Sequence, residues 1–457
     1  MKNQRTQKLW SGTNAFFMVG DFAFNLIWQG TAMFLMYFYT DVVGISPTTA
    51  GLIYMAVMLY DGIADAVFAS IADRTNTRWG RFRPYIFFGA LPLGISYFIM
   101  FSHPPSEFIS VAAWAALTQG LMRTAYTVAA VPYTSLPARL TSSAEERTVL
   151  TGFRTVGASL GAACVFFMTP ALMEYYGPER ELEAFSVSAA CVGVTVFVLL
   201  FACGVYIREP AEACQEPSKT RITDDLRSIV PMFFKNPPLM RVFGIIITTS
   251  ICVSMYGKNV VYFFKYVVQR PDLTTWALAM PMVLNMISVP FWVWYAGKTS
   301  KRQALLTGAS IGFIGFIGFF FLADRSLTAA FVTIVLIGLG WASLIVMYWA
   351  MLPDTVEYGE FMTGVRAEAK IVGFATFAQK SAVGINALLM GLMLDFVHFR
   401  PNAEQEASAL FGIKAIMSLF PAFGMVVIII LTWGYILDRE KHDEIVRMLA
   451  KEKNEKE

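Results

Sequence analysis

The chain has 457 residues, 56% of them hydrophobic and 15% aromatic, with a mean hydropathy of +0.54. Only 15% are charged, against roughly 25% in a typical soluble domain, and 36 basic against 33 acidic residues leave a net +3. These figures exclude a dispersed soluble enzyme and, with no basic stripe, a nucleic-acid binder.

About twelve spans of roughly 22 residues each would absorb the apolar excess. A basic lead (Lys2, Arg5, Lys8) enters a first apolar run at about 12–40. It shows no signal-peptide cleavage pattern, so the run is expected to be retained. Asp21, Asn25 and Gln29 recur there at four-residue steps and share one helical face. The second run, about 47–71, carries Asp61 and Asp65 one turn apart. An ionisable group at bilayer depth is costly unless it faces a cavity or a partner. Two carboxylates that close, in a low dielectric, must share a proton or hold a cation. That is the requirement of a coupling site. A basic connection leads to runs at about 84–102 and 108–136, and Arg123 in the latter reads as an interface residue that snorkels. Runs at about 148–173 and 184–207 complete six, with Arg154 a turn or two into the former.

The longest polar stretch, 208–237, separates these from runs at about 239–267, 273–297, 303–323, 327–352, 371–397 and 409–436. Lys265 in the seventh run reads like Arg123, Lys258 is open between interface and cavity, and Lys380 in the eleventh is expected to line a cavity. Cys164, Cys191, Cys203, Cys214 and Cys252 form no C-x-x-C pair and read as small buried hydrophobes. Scattered His103, His398 and His442 give no metal site to expect. Loop bases (Arg74, Arg78, Arg81, Arg83; Lys298, Lys301, Arg302; the C-terminal tail) place both termini on the cytoplasmic side. The expected organisation is a six-helix bundle over 1–207, a cytoplasmic loop over 208–237, a second bundle over 238–437 and a tail over 438–457. The expected fold is an all-α integral membrane protein of the major facilitator architecture, two six-helix halves around a central cavity. Asp21 and Lys380 come from different halves, so a ligand between them would be gripped by both, as alternating access requires.

Two segments, ADRTNTRWGRFRPY (Ala72–Tyr85) and PDTVEYGEFMTGVRAE (Pro353–Glu368), resemble the second-to-third and tenth-to-eleventh loops of the glycoside–pentoside–hexuronide cation symporters. Gly20-Asp21, FYTDVVGIS (Phe38–Ser46), VPY (Val131–Tyr133), Arg154 and Lys380 match as well. Within that family the second segment is closer to the β-glucuronide-carrying members than to the melibiose-carrying ones. The resemblance implies that Asp61 and Asp65 hold the coupling cation. It assigns the sugar to Asp21, Arg154 and Lys380, with Tyr133, Thr134 and Thr376. A cytoplasmic gate would comprise Asp73, Arg74, Arg78, Arg81 and Arg83 with Asp354, Glu357, Glu360 and Arg366.

The departures carry information. Melibiose-carrying members have Lys where Gly20 stands, a sugar-binding Asp at Ala130, an aromatic at Thr134 and a sodium-liganding Asn at Ala64. Sodium takes about five or six oxygens, so losing an amide oxygen favours H+, with Na+ the alternative. A β-glucuronide brings a carboxylate, for which Arg154 and Lys380 are available, with Arg123 or Lys258 behind them. The expectation is a glycoside or hexuronide symporter of the bacterial inner membrane. It would be a functional monomer and not an enzyme, with no cofactor beyond the coupling ion. Alternatives are Na+-coupled transport of a pentoside or neutral glycoside, a lysolipid transporter, or a non-transporting sugar sensor. An intramembrane aspartyl protease has only the Tyr60-Asp61 half of its signature.

Overall fold

A computed structural model describes residues 11–75, 77–105, 108–140, 144–207, 233–234, 236–363, 368–437, 441–442, 444–445 and 447–448. Through them run twelve long helices. The first six are α1 (Ser11–Tyr37), α2 (Pro47–Arg74), α3 (Arg83–Met100), α4 (Val111–Ser135), α5 (Ala144–Tyr176) and α6 (Glu181–Tyr206). The second six are α7 (Pro237–Tyr262), α8 (Thr274–Lys298), α9 (Lys301–Leu322), α10 (Leu327–Thr363), α11 (Glu368–Phe396) and α12 (Ala407–Trp433). Among the described residues nine helices are long and apolar enough to cross a membrane. α1, α3 and α4 fall short, and of these α1 and α4 carry Asp21, Asn25, Gln29, Gln119 and Arg123. Polar side chains inside a span lower its hydropathy without shortening it.

The chain forms two compact units, Met1–Ser218 with Pro401–Ala403, and Lys219–Arg400 with Glu404–Glu457. In the first, α1 packs on α5 and α6, α2 on α4, and α3 on α4 and α6. In the second, α7 packs on α11 and α12, α8 on α10, and α9 on α10 and α12. Adding six to each helix number in the first pattern gives the second. Each unit thus repeats one way of burying helix faces, an all-α layout of the major facilitator type.

The repeat extends to a local detail. A π-helical turn ends α1 at Phe38–Val42 and α7 at Phe263–Val267. The amides of Val43 and Ile45 close on the carbonyls of Phe38 and Tyr39 at 3.0 and 2.8 Å, and those of Val268 and Arg270 on Phe263 and Phe264 at 3.1 and 2.8 Å. Gly44 and Gln269 then turn the chain with positive φ of 79° and 57°. The sequences beneath, YFYTDVVG and YFFKYVVQ, show the duplication.

Three expectations change. The segment after Pro353 is not a loop, because α10 continues through it to Thr363. A helix leaving a bilayer loses apolar residues but keeps its backbone bonds, and one internal proline forfeits only one of them. α2 runs to Arg74 and α3 begins at Arg83, and a Thr77–Gly80 bridge pinches the connection between them. Cys203 and Cys252 are buried as expected, whereas Cys164 and Cys191 are exposed on α5 and α6. A small apolar side chain suits a lipid-facing surface as well as a core, so hydropathy did not separate the two positions. Cys214 and the central loop over 208–232 lie outside the described residues.

Candidate functional site

The first cluster is built by close approach of α1 and α5. Gly157 and Gly161 face the backbone carbonyls of Met18 and Phe22, and a Cβ at either glycine would collide with them. That contact sets Arg154, one turn before Gly157, against Asp21, one turn after Met18. The Arg154 Nε donates to Asp21 Oδ2 at 2.6 Å and its Nη2 to Oδ1 at 3.3 Å. Such a two-pronged pairing is among the stronger charge-assisted contacts. Tyr133 of α4 completes it, with its hydroxyl 2.9 Å from Asp21 Oδ2 and 2.6 Å from the Phe17 carbonyl. The Arg154 guanidinium also lies 5.5 Å from the centre of the Tyr133 ring. Gly20 has a reason here, because a Cβ would stand 2.6 Å from the Tyr133 hydroxyl. A lysine at that position does not fit beside this tyrosine. Asp21 and Arg154 keep 14% and 24% of their side-chain surface open, enough for a ligand to reach them. Asn25 turns back to the Asp21 carbonyl at 3.0 Å, so the polar face of α1 is partly spent on its own backbone.

The second cluster lies between α2 and α4. Asp61 is fully buried, and Thr127 Oγ1 stands 3.0 Å from Asp61 Oδ1 and 2.8 Å from Asp65 Oδ1. A hydroxyl carries one hydrogen and can donate to only one of them. The other short contact is satisfied when that carboxyl is itself protonated and donates to the Thr127 oxygen. Arg123 is 2% exposed, with Nη1 4.0 Å from Asp61 Oδ2 and its guanidinium 4.9 Å from the centre of the Trp28 ring. This corrects the interface assignment for Arg123. It stands midway along α4, where snorkelling cannot reach water, and opposite charge compensates it instead.

In the other unit, Lys380 is half-buried on α11, and its neighbour Gln379 donates to the Tyr348 hydroxyl at 3.4 Å. Lys258 is fully buried and bonds Ser254, which removes the interface alternative for it. Lys265 sits at the end of α7, half-buried, with its amine 5.4 Å from the centre of the Tyr266 ring. Thr134 and Thr376 are exposed, and each donates to a carbonyl of its own helix, Val131 at 2.9 Å and Val372 at 3.0 Å.

The residues expected to form a gate separate into two groups. Arg83 opens α3 and donates to the Gly204 and Val205 carbonyls that end α6, the latter at 2.6 Å. Arg78 lies exposed over Trp79, Arg74 is exposed at the end of α2, and Arg81 is half-buried. Asp354 holds the Lys301 amine at 2.8 Å through both oxygens, while His442 Nε2 lies 2.6 Å from Glu357 Oε2 and 3.6 Å from Asp354 Oδ1. Glu360 is buried further along α10. The Asp73 side chain and all of Arg366 lie outside the described residues. Asn236 caps α7, accepting from the Leu239 amide at 3.0 Å and donating to the Thr355 carbonyl at 2.8 Å, which ties α7 to α10.

Four contributors had not been singled out for these clusters: Thr127, Arg123 as the partner of Asp61, Lys301 and His442. For Arg123 the signal was available in its mid-span position. A threonine inside a span carries no such signal.

Comparison with known proteins agrees with this architecture. A family model described as MFS/sugar transport protein matches residues 16–439. The chain is 30% identical over 433 residues to the uncharacterized symporter YnaJ of Bacillus subtilis (strain 168), covering 94% of this chain and 92% of that one. It is 28% identical to a glucuronide carrier protein homolog of Escherichia coli (strain K12), covering 94% and 93%. It is also 28% identical to the isoprimeverose transporter of Lactiplantibacillus pentosus, covering 88% and 87%. Among solved structures, the nucleoside transporter NupG (D323A mutant) superposes with a TM-score of 0.66 at 11% identity, covering 91% of this chain and 99% of that one. A bacterial homolog of the lysosomal transporter Spinster superposes at 0.68 and 13% identity, covering 93% and 97%.

Proposed function

Because the chain belongs to the MFS/sugar transport protein family, whose members are membrane transporters and not enzymes, we propose that it is a proton-coupled symporter of a glycoside or hexuronide, with a β-glucuronide favoured. The observation that carries the proton assignment is the single Thr127 hydroxyl held between Asp61 and Asp65. That geometry suits a carboxylate pair sharing one proton. Ala64 adds no oxygen where a sodium cage would need one. In this reading the protonated pair and the sugar load from the outer face of the inner membrane and leave to the cytoplasm.

The substrate assignment rests on Asp21. Among the described residues its Oδ1 has only the longer of the two Arg154 contacts, so lone pairs remain for sugar hydroxyls. In this reading Lys380 supplies a cation for a substrate carboxylate, and Thr134 and Thr376 supply further hydroxyls. The relative named as a glucuronide carrier homolog favours the hexuronide, and the isoprimeverose transporter keeps a pentoside within range. The test is uptake of a labelled β-glucuronide by proteoliposomes under imposed proton and sodium gradients separately. Accumulation on the proton gradient alone supports both assignments. Accumulation on sodium alone overturns the proton, and none under either gradient overturns the glucuronide.

A further inference from the structure

The Asp61/Asp65 pair has a third charged member that the symport reading does not need. Arg123 projects from the middle of α4 into the packing of α2 against α4, and only 2% of its side chain is exposed. Its contact with Asp61 is 4.0 Å, too long for a hydrogen bond, and among the described residues its Nε has no hydrogen-bond partner. The guanidinium therefore acts on the acids as a charge held at a distance rather than as a fork that clamps them. Trp28 offers a ring face, and Tyr54 of α2, Tyr126 of α4 and Tyr39 at the end of α1 are the titratable hydroxyls within the field of Arg123. Asp21 on α1 is the remaining acid whose field reaches Tyr126.

We propose that Arg123 is a tethered counter-ion of the acid pair: its fixed positive charge fills the role a bound Na+ would take, so the site accepts one proton and rejects sodium. The inference rests on the proton reading of Asp61 and Asp65 and adds the reason for the choice of ion. Two carboxylates and one guanidinium sum to a single negative charge. Arg cannot release its proton in a protein, so one proton on the acids makes the buried cluster neutral. Arg123 Nη1 lies 4.0 Å from Asp61 Oδ2, so a sodium ion on the acids would feel the guanidinium from roughly 4–6 Å. Like charges at that distance, at a protein-like effective dielectric, weaken its binding by on the order of a hundred- to a thousandfold. Removing the guanidinium leaves two acids and the Thr127 hydroxyl as hard oxygen donors, the kind of site an alkali cation prefers.

The experiment needs no knowledge of the sugar. Purified wild-type protein and the Arg123→Met, Arg123→Gln and Arg123→Lys variants are melted in NaCl and in choline chloride at equal ionic strength. Wild type and Arg123→Lys should melt alike in both salts. Arg123→Met and Arg123→Gln should gain a sodium-specific rise of several degrees, which Asp65→Asn in the Arg123→Met background abolishes. A structural clamp would give unstable neutral variants without a gain of sodium response. The proposal is overturned if neither neutral variant responds to sodium, whether it melts cooperatively or has lost its melting transition. It is also overturned if wild type responds as strongly as they do. Failure of the symport reading is seen separately, in the proteoliposome uptake of the wild type.

Discussion

The Asp21–Arg154 pair is the contact on which the first cluster depends, and a double-mutant cycle measures it. Arg154→Met removes the charge and keeps most of the stem, leaving Asp21 beside Tyr133 with no cation. Removing one partner of a buried ion pair costs about 3–5 kcal/mol. Here 24% of Arg154 and 14% of Asp21 remain exposed, so solvent takes up part of the loss and about 2–3 kcal/mol is expected. At about 2–4 °C per kcal/mol for a unit of this size, the melting temperature should fall by roughly 5–10 °C. Asp21→Asn keeps an acceptor for Tyr133 but strands the guanidinium, and should cost a similar amount. The double variant contains no orphan charge, so it should lose less than the sum of the two, with a coupling of about 1–2 kcal/mol. Thermal melts of the four purified proteins in one detergent give the cycle directly. Strictly additive losses would show that the two side chains do not support each other and would remove the basis for placing them in one site.

Further changes test the remaining parts. Asp61→Asn should abolish uptake against a gradient while sparing exchange of sugar across the membrane, and accumulation surviving in that variant would exclude Asp61 from coupling. Thr127→Val should likewise lose accumulation while Thr127→Ser keeps it; equal transport by both would make the bridging hydroxyl incidental. Lys380→Ala is expected to weaken substrate binding at least tenfold, and full affinity in equilibrium dialysis would move recognition elsewhere. Asn236→Ala removes a helix cap and a buried bond to Thr355, a loss of about 1–2 kcal/mol that a thermal melt resolves. A melt within a degree of wild type would contradict it.

What the sequence conveyed, and what it withheld, follows from the range of each interaction. Spans and intramembrane acids are local signals. A run of apolar residues forms a helix in lipid wherever it lies, and a carboxylate inside one is anomalous on its own. The Asp61–Thr127 contact spans 66 residues and Asp21–Tyr133 spans 112. Neither threonine nor tyrosine is unusual in a span, so only packing reveals the partner. Arg123 was misplaced because a basic residue in a span was weighed by type and not by depth. The tenth helix outran its hydropathy because the bilayer sets where apolar residues stop, whereas backbone hydrogen bonding sets where a helix stops. The paired YF-x-x-x-VV segments stand out as a duplication only once the π-helical turns they form are seen.

The most direct measurement of the central claim is the proton flux itself. Proteoliposomes with no imposed gradient are given an unlabelled β-glucuronide in a weakly buffered, sodium-free medium, and external pH is followed. Proton symport predicts that the medium turns alkaline as sugar enters, that a protonophore abolishes the signal, and that Asp65→Asn abolishes it too. Sugar entry, confirmed in parallel by label, with no pH change would contradict proton coupling.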